Sequence, residues 1–369
     1  MKACRMVRRF GIRYLIGWFF LLFCGGDLWA EMGKTLSPSS ISDQRPHTFT
    51  NPIQGYGADP WMLQKDGKYY FSESDGGQRI FVKQSAAITR LGRVKSHRVM
   101  DFSLQGSPPR YGICGPHLNK LRGKWYIYYC AQTRPQNMWS SQRMWVIQST
   151  TDSPFGPYED CGEVLGSGDK EWAIDGAVLV RQNGDLYFVW SGIADLSNLH
   201  QSIWIARMAT PTRIDRKTRV EISKPTYPWE CSVRPIQEGP RPLIVDQGGR
   251  TIVMYSANAS WTDEYCLGSL TNISGDFLNP RAWRKSEKPL FQKTETIFGP
   301  GGASYVKSPD LKEDWIVYHS ARKKGSGWTR VINAKKFVWK TNGMPDFGNP
   351  AEWGQRLPLP SGESPDGNR

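Results

Sequence analysis

The chain has 369 residues, a formal net charge of +14, and 16 Trp, 15 Tyr and 15 Phe. That length admits one large all-β domain as readily as two smaller ones. Its Lys and Arg residues are scattered, and clusters such as Arg322-Lys-Lys324 and Lys335-Lys336 are short. This is a solvated basic surface with some attraction for anionic polysaccharide, and it argues against a nucleic-acid-binding protein.

Lys2, Arg5, Arg8, Arg9 and Arg13 precede an apolar run from Tyr14 to Cys24, and Ala30 offers a small residue at a cleavage point. Residues 1–30 are therefore expected to be a signal peptide. The run is shorter than the roughly 20 residues a bilayer span needs. Cleavage is expected rather than retention as an anchor, with no stable membrane insertion afterwards. Bulky Phe23 speaks against acylation at Cys24. The mature protein is expected to be secreted or periplasmic, with its charge reduced from +14 to +10 and its cysteines from seven to five. Residues 31–50, rich in Ser, Pro and Thr, read as a linker or an N-terminal arm.

Five related phrases follow. Gly57-Ala-Asp-Pro-Trp61 runs to Tyr69-Tyr-Phe71, and Cys114-Gly-Pro-His-Leu118 to Trp125-Tyr-Ile-Tyr-Tyr129. Ile174-Asp-Gly-Ala-Val178 leads to Leu186-Tyr-Phe-Val-Trp190, and Gln237-Glu-Gly-Pro-Arg241 to Thr251-Ile-Val-Met-Tyr255. Gly299-Pro-Gly-Gly-Ala303 leads to Trp315-Ile-Val-Tyr318. Anchors at Asp59, Pro116, Gly176, Gly239 and Gly301 are 57, 60, 63 and 62 residues apart. Short strands repeating at that period predict an all-β fold, a single five-bladed β-propeller over residues 51–350. Asp66-Gly67, Arg122-Gly123, Asn183-Gly184 and Gly248-Gly249 mark the turn after each first strand in four units. Blade boundaries are expected near 103–110, 162–170, 222–233 and 285–296. Residues 351–369 are polar with Pro and Gly, and are expected to be disordered.

No cysteine spacing matches a zinc site. Cys114 and Cys130 stand symmetrically about the Arg122-Gly123 turn, so they can face each other either as a disulfide or as two buried thiols.

In a propeller every innermost strand begins at one central channel, so Asp59, Asp175 and Glu238 converge there. Hydrolysis of a glycosidic bond with inversion needs a base that activates water and an acid that protonates the departing oxygen, about 6.5–9.5 Å apart. A third carboxylate nearby raises the pKa of the acid, since like charges resist joint ionisation.

With these motifs the chain resembles glycoside hydrolase family 43 over about residues 50–348, whose members are five-bladed inverting propellers. The resemblance implies that Asp59, in Ala58-Asp-Pro-Trp61, is the general base. It implies that Asp175, in Trp172-Ala-Ile-Asp-Gly176, orients and tunes the donor. Glu238, in Gln237-Glu-Gly-Pro240, would be the proton donor. Trp190-Ser-Gly192, Ser223-Lys-Pro-Thr226, Tyr265-Cys-Leu-Gly268 and Met344-Pro-Asp-Phe-Gly348 look closest to its α-L-arabinofuranosidase-like members. The implied substrate is an arabinose- or xylose-containing polysaccharide or oligosaccharide, and no organic cofactor is required. Glu230, in Trp229-Glu-Cys231, is a rival donor but lies out of register.

Three departures stand out. His117 replaces a family Glu, as a sugar-binding group or as a structural histidine. Gly302 stands where relatives often carry a metal-associated His, which puts a bound calcium in doubt. Asn333 and Lys335 replace a common Arg and Gln, while Arg330 fits a basic position. Trp61 and Trp172, beside the acids, are candidates for sugar contact or for core packing. A non-catalytic carbohydrate-binding propeller and a retaining fructan-type glycosidase remain the alternatives.

Overall fold

A computed structural model describes residues 47–364, apart from 136–138, 169–170, 195 and 198–199. The expected signal peptide, and the arm up to residue 46, lie outside the described residues.

Five antiparallel sheets follow one another along the chain, each starting at its innermost strand. The first comprises Trp61–Lys65, Lys68–Ser74, Arg79–Ser85 and His97–Asp101. The second runs from Tyr111–Leu121 to Tyr158–Glu163, the third from Trp172–Val180 to Val220–Ser223. The fourth spans Gln237–Gln247 to Trp283–Lys285, and the fifth Phe298–Lys307 to Pro345–Asp346. The chain is thus a five-bladed β-propeller, with blades divided near the turn-rich stretches the sequence marks.

Local chemistry explains the hairpins. Asp66 and Gly67 both have positive φ (51° and 70°), as do Arg122 and Gly123 (48° and 83°). Two left-handed residues make the tight turn whose twist matches paired strands, and Lys65 pairs with Lys68 and Leu121 with Lys124 across these turns. The second hairpin sets Cys114 opposite Cys130, and the two form a disulfide with Cα atoms 5.3 Å apart. Aromatic and β-branched residues such as Ile127, Tyr129, Val189 and Val253 then fill the space between blades. Their burial from water is the main stabilising contribution.

The repeated phrase is itself a structural device. Pairing with the second strand is interrupted between Cys114 and His117, Ile174 and Ala177, Glu238 and Arg241, and Gly301 and Ser304. At or beside these bulges Gly115, Asp175, Gly239 and Gly302 have φ between 51° and 59°, and Asp59 has φ 47° just ahead of the first blade. A bulge with one left-handed residue re-aims the strand at the channel. Gly does this freely, and Asp tolerates it better than most residues.

The two ends of the propeller are tied together. Asn51 bonds Ala334 through both side-chain atoms, and Thr48–Phe49 pairs with Leu357–Pro358. The expectation of a disordered tail is therefore corrected for residues 351–364. Glu363 accepts from Ile88 N and Thr89 Oγ1, and Ser361 Oγ donates to Asp310. Polar clasps hold this segment, so its composition carries no apolar pattern to betray it. Residues 365–369 lie outside the described residues.

Candidate active site

Asp59 and Asp175 both occupy left-handed positions (φ 47° and 57°), whereas Glu238 precedes the left-handed Gly239 (φ 59°). The three acids are thus not equivalent repeats of one position, as the sequence register suggests. They nonetheless meet at the channel. Asp175 Oδ2 accepts from the backbone N–H of Gly239 at 3.0 Å, which fastens the third blade to the fourth beside Glu238. Asp59 is the open member, its side chain 28% exposed. It lines a cavity of about 630 Å³ between the first, second and fifth blades. Asp175 and Glu238 are buried.

Each acid has distinct partners. The backbone N–H of Asp59 donates to His319 Nδ1 at 3.0 Å, and its Oδ1 is 3.9 Å from Arg330 Nη1. Glu238 Oε1 accepts from the Tyr265 hydroxyl at 2.8 Å and Oε2 from Gln201 Nε2 at 3.3 Å. The Tyr265 and His319 rings lie nearly parallel, 5.6 Å apart. One continuous chain of contacts therefore runs Asp59–His319–Tyr265–Glu238.

The electrostatics separate the acids. Burial, then the charges of Asp175 and Asp59, push the Glu238 carboxyl up to about 8 against the opposing pull of the Tyr265 hydrogen bond and Arg330. Burial and Asp59 raise Asp175 to about 6, against the pull of Arg241, the Gly239 N–H and Arg330. A buried carboxyl kept protonated near neutral pH is a competent proton donor.

Beneath them sits Arg241, fully buried. Its Nη1 donates to the Asp175 carbonyl at 3.4 Å and its guanidinium lies 5.6 Å from the Trp61 ring. Arg241 and Arg330 already set positive charge against the acid trio. Calcium takes six to eight oxygen ligands, and among the described residues no group of three or more His, Cys, Asp and Glu is placed to hold a metal ion.

The position of Gly302 has a physical explanation. A Cβ there would lie 2.5 Å from His319 Cε1 and 2.8 Å from Asp59 Oδ1. His319, reaching in from the next strand, fills the space that a side chain at residue 302 would need.

The three neighbours expected to contact sugar stand elsewhere. Trp61 is buried, donates Nε1 to Leu118 O at 2.7 Å and stacks on His117 at 4.3 Å. It lines a separate cavity of about 440 Å³ that none of the three acids lines. His117 is wholly buried, and burial together with Arg241 holds its pKa well below the usual histidine value. Trp172 is buried too, donates Nε1 to Trp139 O at 2.9 Å and packs against the Trp139 ring. None of the three offers a free face to a sugar. The left-handed residue beside each strand breaks the two-residue alternation that would have put Trp61 and Asp59 on one side.

Glu230 is excluded as donor by its bonds. Lys285, Gln237 and Tyr255 reach its carboxylate at 2.6, 2.6 and 2.8 Å, joined by the backbone N–H groups of Thr226 and Tyr227. Burial favours the neutral acid, but these bonds outweigh it and hold the pKa below the ordinary value. Glu230 is a structural hub.

Tyr265, His319, Gln201 and Arg241 complete the site without having been singled out for a role. The available signals were a lone His inside the apolar strand Asp314–Ala321 and a Tyr in Tyr265-Cys-Leu-Gly268.

Residues 49–345 match the family model described as Glycosyl hydrolases family 43. An "Extracellular exo-alpha-(1->5)-L-arabinofuranosidase" of Streptomyces avermitilis is 31% identical over 315 residues, 82% of this chain and 64% of the relative. One of the same description from Streptomyces chartreusis is 29% identical, covering 76% of this chain and 84% of the relative. The chain thus spans less than two thirds of the first relative's length. Among solved structures, an alpha-L-arabinofuranosidase from Lactobacillus brevis superposes with a TM-score of 0.75 at 29% identity, over 83% of this chain and 98% of that one.

Proposed function

Because the chain belongs to glycosyl hydrolase family 43, we propose that it is an exported, inverting glycosidase acting on arabinose-containing polysaccharides or oligosaccharides. Asp59 takes a proton from water, whose oxygen attacks the anomeric carbon. The glycosidic bond breaks as Glu238 passes its proton to the leaving oxygen. Asp175 repels the ionised form of Glu238 and so keeps the donor charged with its proton until that moment. The observation that carries this reading is the contrast between solvent-open Asp59 and buried Glu238, whose carboxyl is pushed up to about 8.

Arabinose is favoured over xylose by the activities after which the relatives above 25% identity are named. Export rests on the basic and apolar N-terminal segment and on the Streptomyces relatives named extracellular. No helix among the described residues is long and apolar enough to cross a membrane.

The test is turnover of aryl α-L-arabinofuranoside and aryl β-xyloside by the wild type, Asp59→Ala and Glu238→Ala. Release of arabinose that disappears in both variants is expected. Glycan binding that persists in all three proteins without any turnover would instead identify a binding propeller.

A further inference from the structure

The basic cluster Arg322-Lys-Lys324 has no part in the chemistry above, yet the fold places its first residue, Arg322, at the mouth of the site. Arg322, Trp328 and Arg330 line the same cavity as Asp59. The segment that carries them connects two strands of the fifth blade and is firmly moored. Gly325 N donates to Asp263 Oδ1 at 2.9 Å, Trp328 Nε1 to Ser260 Oγ at 3.2 Å, and Arg330 to the Ser260 carbonyl.

Trp328 remains 66% exposed although its indole is fixed, with its ring set edge-on to Trp261 at 5.9 Å. Tyr56, equally exposed at 66%, belongs to the same cavity. An exposed aromatic ring held in place by a hydrogen bond loses little entropy when something stacks on it. The cations differ from most of their neighbours. Arg322 donates to the Gly55 carbonyl, but no carboxylate of the described residues pairs with the exposed Lys323 or Lys324. Two acids also line the cavity, and both are already engaged. Glu73 is 3.0 Å from Lys83 Nζ, and Asp75 accepts from Gly77 N and Arg79 N.

We propose that this rim, with Trp328 as platform and Arg322, Lys323 and Lys324 as the charged edge, is a second glycan subsite that binds a carboxylate-bearing stretch of the polysaccharide, so that the preferred substrate is arabinose attached to a uronic-acid-containing chain. This rests on the glycosidase reading for its consequence in turnover, and on the rim alone for its consequence in binding. Unpaired surface cations attract an anionic polymer over about a Debye length, roughly 10 Å at 0.1 M salt. The ring stacks on the pyranose face while the cations meet the carboxylates.

The probe is an arabinosylated, uronic-acid-rich polysaccharide, with the same material after its carboxyl groups are reduced to hydroxymethyl groups as the neutral control. Affinity electrophoresis in gels containing each polymer reads binding, and arabinose release reads turnover. The wild type should be retarded more strongly by the acidic polymer, with KM about five- to tenfold lower at low ionic strength and the difference gone at 0.5 M salt. The double variant Lys323→Ala/Lys324→Ala should lose that preference. Trp328→Ala should weaken retardation by both polymers, and the double lysine variant should keep the wild-type rate on aryl arabinofuranoside. Equal affinity for the two polymers, or a preference untouched by the lysine changes, would overturn the proposal. Retardation as expected with no hydrolysis of any arabinoside would leave the subsite standing and remove the glycosidase reading instead.

Discussion

The backbone N–H of Asp59 donates to Nδ1 of His319 at 3.0 Å, joining the first blade to the fifth across 260 residues of sequence. To accept there, the imidazole must be neutral with its proton on the other nitrogen. Burial, with the charges of Arg330 and Arg241, lowers the His319 pKa well below the usual value and secures that state. The same ring packs on Tyr265, whose hydroxyl holds Glu238. One uncharged side chain therefore braces both the base and the donor.

Replacing His319 with Ala should release the left-handed Asp59 backbone and loosen Tyr265. A displacement of about 1 Å in a reacting group can cost up to about 100-fold. We expect kcat/KM on aryl arabinofuranoside to fall by about 10- to 100-fold, with partial recovery in His319→Asn, whose side-chain oxygen can accept. Steady-state kinetics checks this; wild-type kcat/KM in His319→Ala would mean Asp59 needs no brace.

Tyr265→Phe should move the alkaline limb of the pH–rate profile upward. The Tyr265 hydrogen bond favours ionised Glu238 and so opposes the shift to about 8. Without it the donor stays protonated to higher pH, by about half a unit to one unit. A limb that moves down would assign it to another group.

Arg241→Met tests the charge beneath the acids. Arg241 is among the charges that hold Asp175 down, so its loss raises the Asp175 pKa and gives no force that would ionise Glu238 more easily. The variant should lose about 3–5 kcal/mol of stability, as expected for breaking a buried charge arrangement, and its alkaline limb should not move to lower pH. Kinetics across pH 5–10 checks this, and a limb that falls would contradict the assignment.

Glu238→Gln should be inactive yet more stable. The Glu238 carboxyl has a reference pKa of 4.5 and stands at about 8 in the folded chain. Because the folded state binds the extra proton, this acid costs stability progressively as pH rises through that interval. Gln carries no such cost, so scanning calorimetry should find little difference from wild type at pH 4.5. The variant should gain on the order of 2 kcal/mol at pH 8. A gain that is constant across pH would show that packing, not charge, is responsible.

The fold was legible because a 60-residue repeat and Gly-containing turns are local signals, and the blades divide where those turns cluster. The convergence of the three acids was legible because each sits in a turn-like dipeptide on, or just ahead of, an innermost strand. Their surroundings were not. A bulge breaks the alternation of faces, so no counting from Asp59 could tell that Trp61 turns to His117 and Leu118. His319 reaches Asp59 only after the ring closes, and no short-range pattern encodes a contact 260 residues long. The tail from Leu357 to Ser364 is held by Glu363 and Ser361, and polar composition alone reads as disorder.

If Asp59 activates water while Glu238 protonates the leaving oxygen, the bond is cleaved with inversion. Proton NMR of the first sugar released from an α-L-arabinofuranoside tests it directly. β-Arabinose should appear first and then mutarotate. Initial release of α-arabinose would contradict it and make Asp59 a covalent nucleophile instead.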